Sequence, residues 1–353
     1  MSASSEPMAA WIAAVKARNH LSPEAIEGAV AYLLDPEGDQ ALKADFLRFL
    51  NEKGETDAEI SGFAEAFLAR AVNPGLDSAS LPGPLLDCCG TGGDKLEMFN
   101  VSTTAMFVLA AGGVCVVKHG NRSITSKCGG ADVLESLGIR IDLPPADFKR
   151  CVEAVGCGFM FAPHYHPAFK AIAPVRKILG QQGVPTIFNL LGPILNPARP
   201  DYQLVGVFTP AALPKFGSAL RHLGRKHAWA VHGSAGNGLG MDEMSTLGPT
   251  EVCSVTAGEI HSFSVDPEVL GFQKAPLSAL KGGDAGTNAT LLRDILGGKP
   301  GPKRDIVLLN AAAGFVITRL APDLEAGLAL GMEMIDSGKA LEKLKALRDF
   351  RAK

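Results

Sequence analysis

Leu85-Leu86-Asp87-Cys88-Cys89 runs straight into Gly90-Thr91-Gly92-Gly93-Asp94, so a short apolar stretch is closed by a glycine-rich turn. The apolar part reads as a buried strand. Its three following glycines permit positive φ and close backbone approach, so successive N–H groups can face a diphosphate. Asp94 adds an acceptor for ribose hydroxyls or metal-bound water. The plainer reading is a tight turn that the glycines merely shape. Asn100-Val101-Ser102-Thr103 favours the functional one, because the free N–H groups and hydroxyls of a helix start form an anion site. The spacing is neither G-x-G-x-x-G nor G-x-x-x-x-G-K-S/T, which disfavours a dinucleotide fold and a P-loop.

Outward from this strand, helix and strand patterns alternate. Residues 102–111 predict a helix, 114–118 a strand and 131–137 a helix. Strands follow at 158–161, 203–208 and 228–232, with a helix at 213–223 between the last two. Such alternation indicates an α/β lobe with a mainly parallel sheet covered on both faces. Residues 250–255 and 259–264 predict a hairpin added to it, and the last third ends in helices at 308–320 and 324–335. Upstream, the first eighty residues read as helices alone. Ser22-Pro23-Glu24 supplies a cap, a first-turn proline and a favourable charge, and Thr56 with Glu59 makes a capping box. The turn-rich residues 73–84 form a linker and hinge, dividing a helical lobe, 1–78, from the α/β lobe, 79–353.

Composition sets the outer limits. The 353 residues are 46% hydrophobic and 20% charged, as expected of a globular protein with a large core, and a net charge of −3 argues against a nucleic-acid binder. The longest apolar run, 106–117, is broken by Gly112 and Gly113 and is too short for a membrane span. The N-terminus lacks the charge and apolar length of a signal peptide. Seven cysteines in mostly apolar surroundings read as free thiols of a reducing cytoplasm, and none has a zinc-ligand spacing.

Three further segments carry candidate chemistry. Lys118-His119-Gly120-Asn121-Arg122, at the end of the second strand and followed by Ser123, Thr125, Ser126 and Lys127, puts cations where α/β sheets bind ligands. Its bland alternative is a solvated basic turn, and His119 could equally be a structural hydrogen-bonder. Met241-Asp242-Glu243 offers two adjacent acids to a hard cation, or is surface charge. Arg176 in Pro174-Val175-Arg176-Lys177 could fork onto a substrate carboxylate, or lie on the surface. His164 and His166, between Pro163 and Pro167, read as a structured loop rather than a metal pair.

Taken in order, GTGGD, FNVST, KHGNRSITSK, ADVLESLGI, PVRK, TIFNLLGP and MDE resemble the anthranilate phosphoribosyltransferase family. The likeness continues through Gly282-Gly283-Asp284, Leu309-Asn310-Ala311 and Asp336-Ser337-Gly338, so it covers almost the whole chain. It implies a nucleoside phosphorylase-like homodimer whose helical lobe also takes in part of 165–190. It also implies transfer of phosphoribosyl from phosphoribosyl pyrophosphate (PRPP) to anthranilate, with Mg²⁺, in tryptophan biosynthesis. On this resemblance Gly90, Gly93, Asp94, Asn100, Val101, Ser102, Thr103, Lys118, His119, Gly120, Asn121, Arg122, Ser123 and Ser126 hold PRPP. Lys118, Asn121 and Arg122 serve the chemical step, and Ser102, Asp242 and Glu243 serve the metal. Gly90, Asn121 and Arg176 contact anthranilate.

Some positions depart from the family's pattern. Met98 replaces a usual threonine or serine, and Cys128 and Gly130 replace common serines. The chain is longer before Thr186, with Pro185 where an arginine is common, and again over 234–240 before Asp242. Two competitors share the fold. A pyrimidine nucleoside phosphorylase usually carries K-x-S-T-G-G-V-G-D, unlike Cys89-Gly90-Thr91-Gly92-Gly93-Asp94. A non-catalytic nucleic-acid-binding relative should be basic and lack the metal acids, whereas this chain is acidic and keeps Asp242-Glu243.

Overall fold

The computed structural model describes residues 5–92, 94, 96–123 and 127–352. The chain forms two compact units, Met1–Val72 with Pro163–Pro197, and Asn73–Ala162 with Ala198–Lys353.

The first unit is helical, with helices Ser5–Lys16, Pro23–Leu34, Gln40–Lys53 and Asp57–Leu68. Ser22 Oγ accepts the Ala25 N–H at 3.2 Å, capping the second of these ahead of Pro23. Thr56 and Glu59 form the reciprocal box, with Glu59 N–H on Thr56 Oγ1 at 3.2 Å and Thr56 N–H on Glu59 Oε2 at 2.9 Å. Phe67 joins the second segment of this unit, its ring centroid 5.1 Å from Phe169 and 5.3 Å from Phe188. His166 is buried, with Nε2 2.9 Å from the Leu195 carbonyl.

The second unit is built on one sheet of eight strands: β1 (Leu85–Gly90), β2 (Cys115–Gly120), β3 (Cys157–Phe161), β4 (Tyr202–Gly206), β5 (His227–Gly236), β6 (Leu239–Met241), β7 (Thr250–Thr256) and β8 (Glu259–Val265). Their order is β3-β2-β1-β4-β5-β7-β8, with β6 paired to β5. The first five strands run parallel, while β6, β7 and β8 join antiparallel. Leu85 to Cys89 are buried at odd and even positions alike, so both faces of β1 are covered. The helix Val101–Ala111 follows β1, and Pro302–Ile317 packs against that helix and β4.

Several boundaries differ from the sequence pattern. The helix expected at 308–320 runs Pro302–Ile317. Pro302 opens a half-buried polar first turn that the apolar series does not reveal, and Arg319 at φ 62° ends the helical path. The extra residues 234–240 before Asp242 form a hairpin. There Asn237 (φ 52°) and Gly238 (φ 75°) make a tight turn that carries β6 back along β5. Helices Pro145–Val155 and Ala285–Leu296 had no counterpart in the sequence reading. All seven cysteines are buried free thiols. Among the described residues no helix is long and apolar enough to cross a membrane.

Candidate functional site at the ends of β1 and β4

The chain leaves β1 for β2 on one side and later returns to place β4 on the other. Ligands of open α/β sheets sit in the crevice such a reversal opens beyond the strand carboxyl ends. Here Gly90 and Gly206 are register partners, and the Thr91 N–H donates to the Gly206 carbonyl at 3.0 Å.

The acidic turn after β6 is seated on these two glycines. A Cβ at Gly90 would stand 2.6 Å from Asp242 Oδ2, and one at Gly206 would stand 1.6 Å from the Asp242 carbonyl oxygen. Asp242 Oδ2 accepts the Gly92 N–H at 2.5 Å and the Thr91 hydroxyl at 3.2 Å. Gly92, at φ +71°, turns its N–H inward in a conformation that suits glycine. Of the loop N–H groups described, that of Gly92 faces the side chain of Asp242 and that of Thr91 the Gly206 carbonyl. Glu243 Oε1 accepts the Ser102 N–H at 3.3 Å, in the first turn of the helix Val101–Ala111, where the dipole favours negative charge. Lys118 is 5% exposed and donates to the Cys88 carbonyl at 2.6 Å and to Ser102 Oγ at 2.9 Å.

Burial, and then the charge of Asp94, push the Asp242 carboxyl well above its ordinary range, against the pull of the Gly92 N–H. Burial and Asp242 push Glu243 up to about 8, opposed by Lys118. Two acids are thus held together in a buried place, with Lys118 easing only part of the cost at Glu243. With Ser102 Oγ they form an all-oxygen donor set suited to a hard cation. Among the described residues no three His, Cys, Asp or Glu side chains form a metal cage. Mg²⁺ needs none, since one or two carboxylates plus substrate phosphates usually hold it.

Other expected site residues have clear structural partners. Gly120 leaves room against Phe159, whose ring would lie 3.0 Å from a Cβ there. Asn121 is exposed. Arg122 forks onto Glu135 at 2.7 and 3.0 Å and lies 4.8 Å over the Phe161 ring. The Ser123 and Gly129 N–H groups both donate to Asp132 Oδ2, at 2.9 and 2.7 Å, pinning the two ends of the segment between them. Gly93 and Ser126 lie outside the described residues. Asp94 Oδ1 accepts the Leu96 N–H at 3.0 Å. Val101 and Thr103 are buried in the first turn of their helix. Asn100 donates to the Cys128 carbonyl at 3.2 Å and accepts from Asn288 Nδ2 at 3.0 Å. The Cys128 thiol is 3.5 Å from Asn100 Oδ1, so a weak donor remains where the family commonly has serine. Arg176 belongs to the first unit, is exposed, and lies 4.5 Å over the Phe188 ring.

Gly206, Asn288 and Asn310 were missed as contributors to this region. A glycine between two valines within a strand pattern signals close approach, and Gly206 fits that rule. An asparagine amid the apolar run 306–317 was the available signal for Asn310.

Residues 82–341 match the glycosyl transferase family, a/b domain. Anthranilate phosphoribosyltransferase of Chloroflexus aggregans is 45% identical over 335 residues, spanning 94% of this chain and 95% of that protein. The chain belongs to the anthranilate phosphoribosyltransferase family. The anthranilate phosphoribosyltransferase of Anaeromyxobacter sp. is 47% identical over 302 residues, 86% of each chain. The crystal structure of the anthranilate phosphoribosyltransferase from Thermus thermophilus aligns with TM-score 0.86 at 39% identity, covering 96% of this chain and 98% of that one. The Saccharomyces cerevisiae anthranilate phosphoribosyltransferase, solved in complex with PRPP and Mg, aligns with TM-score 0.86 at 25% identity over 99% of both chains.

Proposed function

We propose that this chain transfers the phosphoribosyl group of PRPP to the amine of anthranilate, releasing pyrophosphate. The observation that carries the reading is the seating of Asp242-Glu243 on Gly90, Gly92 and the first turn of the helix Val101–Ala111. That arrangement gathers acids, a hydroxyl, a buried lysine and inward N–H groups at the reversal of the sheet.

An aryl amine is neutral at pH 7 and already nucleophilic, so the chain needs no strong base before attack. The barrier lies in the departing pyrophosphate and in positive charge growing at the anomeric carbon. Mg²⁺, when bound, neutralises charge on the pyrophosphate oxygens. Asp242, Glu243 and Ser102 Oγ would hold it, and they suit it because two carboxyls raised by burial and by neighbouring negative charge gain from a divalent cation. Lys118 donates to Ser102 Oγ, leaving that oxygen a lone pair for a cation, and would add positive charge to stabilise a departing pyrophosphate. The Gly92 N–H fixes the Asp242 carboxyl, and Arg122 brings a guanidinium paired with Glu135. Arg176 and Asn121 are assigned to orienting anthranilate, on the resemblance. A homodimer in the cytoplasm belongs to the same reading.

Purified protein mixed with anthranilate, PRPP and MgCl2 should extinguish anthranilate fluorescence, and EDTA should stop the loss. Unchanged fluorescence with all three present would exclude the transfer.

A further inference from the structure

Helix Pro302–Ile317 is apolar along its buried face except at Asn310, which is 1% exposed. Its carboxamide does not point at a ligand. Oδ1 accepts the Met244 N–H at 3.0 Å, and Nδ2 donates to the Met244 carbonyl at 3.0 Å and to the Ile306 carbonyl at 2.8 Å. Both amide hydrogens and the oxygen are engaged. Two of these three bonds grip the backbone of the residue directly after Glu243.

That grip completes a frame around the acidic turn. On one side the Asp242 backbone abuts Gly206. On the other, Ser245 is held by its N–H on Thr250 Oγ1 at 2.9 Å and by its hydroxyl on the Ser234 carbonyl at 2.5 Å. Between them Asn310 holds Met244, which is itself fully buried. Buried backbone groups must find partners, so a side chain without an amide at 310 would force Met244 to turn toward others. Consecutive Cα atoms are about 3.8 Å apart, so such a turn carries Glu243 with it. The 3.3 Å contact from Glu243 to the Ser102 N–H leaves little slack for that movement.

We propose that Asn310 is a positioning residue, which sets the Asp242 and Glu243 carboxylates for binding the divalent cation and its diphosphate ligand. The inference rests on the reading that these two acids serve Mg²⁺. Loss of a residue that orients a metal ligand typically weakens metal affinity or activity about 10- to 100-fold.

The test compares four variants with the parent for melting temperature, for stabilisation by PRPP titrated with MgCl2, and for KM of anthranilate. Asn310→Ala should raise the Mg²⁺ concentration giving half-maximal stabilisation by about 10- to 100-fold, leaving the anthranilate KM near the parent value. Leu308→Ala is the structural control, because Leu308 on the same helix faces Gly331 instead of the turn. It should lower the melting temperature with the Mg²⁺ dependence unchanged. Asn310→Asp keeps the shape and the acceptor for Met244 N–H should the alanine variant fail to fold. It loses both donors, so its Mg²⁺ curve should move to higher concentration as in the alanine variant. Parent-like Mg²⁺ dependence in the Asn310 variants, with a displaced curve in Asp242→Asn, overturns the positioning role. A parent-like curve in Asp242→Asn as well overturns the metal reading beneath it.

Discussion

Gly206 and Asp242 meet backbone to backbone: any side chain at 206 would bring a carbon within 1.6 Å of the Asp242 carbonyl oxygen. That contact lets the acidic turn lie directly on the end of β4. Gly206→Ala should therefore displace Asp242 from Gly92 and abolish stabilisation by PRPP with Mg²⁺. The overpacking itself should cost about 1–3 kcal/mol of fold stability. Thermal melts with and without the ligands separate the two effects. A folded alanine variant stabilised as fully as the parent would show that the turn does not depend on this glycine.

The raised acids make a pH prediction with a definite sign. Glu243 ordinarily titrates near 4.5 and is pushed up to about 8 in the fold, and Asp242 shifts the same way. Between those values the folded chain retains protons that the unfolded chain has released, so stability falls as pH rises. Without divalent cations the melting temperature should decline from about pH 5 to 8 by a component that Glu243→Gln removes. PRPP with Mg²⁺ should restore most of it at pH 8. An identical pH slope in parent and Glu243→Gln would contradict the shift.

Arg176 is an exposed residue whose guanidinium lies over the Phe188 ring, a stacking that steadies it. If its partner is the anthranilate carboxylate, Arg176→Ala removes a charged hydrogen bond worth about 1.5–3 kcal/mol. The KM for anthranilate should rise roughly 10- to 100-fold while that for PRPP stays within about threefold. Equal changes in both constants would place Arg176 elsewhere.

The seven buried thiols give a chemical check on the fold. Burial pushes Cys88 and Cys151 up to about 12 and Cys128 up to about 11, so few are thiolates at neutral pH. A thiol reagent should react slowly with the native protein, and with all seven cysteines after denaturation. Rapid native labelling of Cys88 or Cys157 would mean that the strands carrying them open readily.

What was legible beforehand was written between residues close in the chain. Ser22 and Thr56 announce their helices because a cap bonds three residues on. The run from Leu85 to Asp94 reads as strand and turn because glycine marks a change of backbone path. The hairpin at Asn237-Gly238 carries a local signal too, yet the sequence reading shows 234–240 only as added length. Helix Ala285–Leu296 was missed although Asp284 caps it by accepting the Thr287 N–H.

By itself the sequence determined the alternation of strands and helices, the caps, the glycine loop, and which residue types stand ready for a diphosphate and a cation. These follow from backbone preferences and from hydrogen bonds that span a turn or less. Only the tertiary structure decided that Asp242 would meet the Gly92 N–H, 150 residues away in the chain, and that Lys118 would bridge Cys88 and Ser102. It also decided that Asn310 would close on Met244 from a helix 66 residues further on. Partners so distant are chosen by strand order and by close packing, where a single Cβ at Gly206 would already be too much.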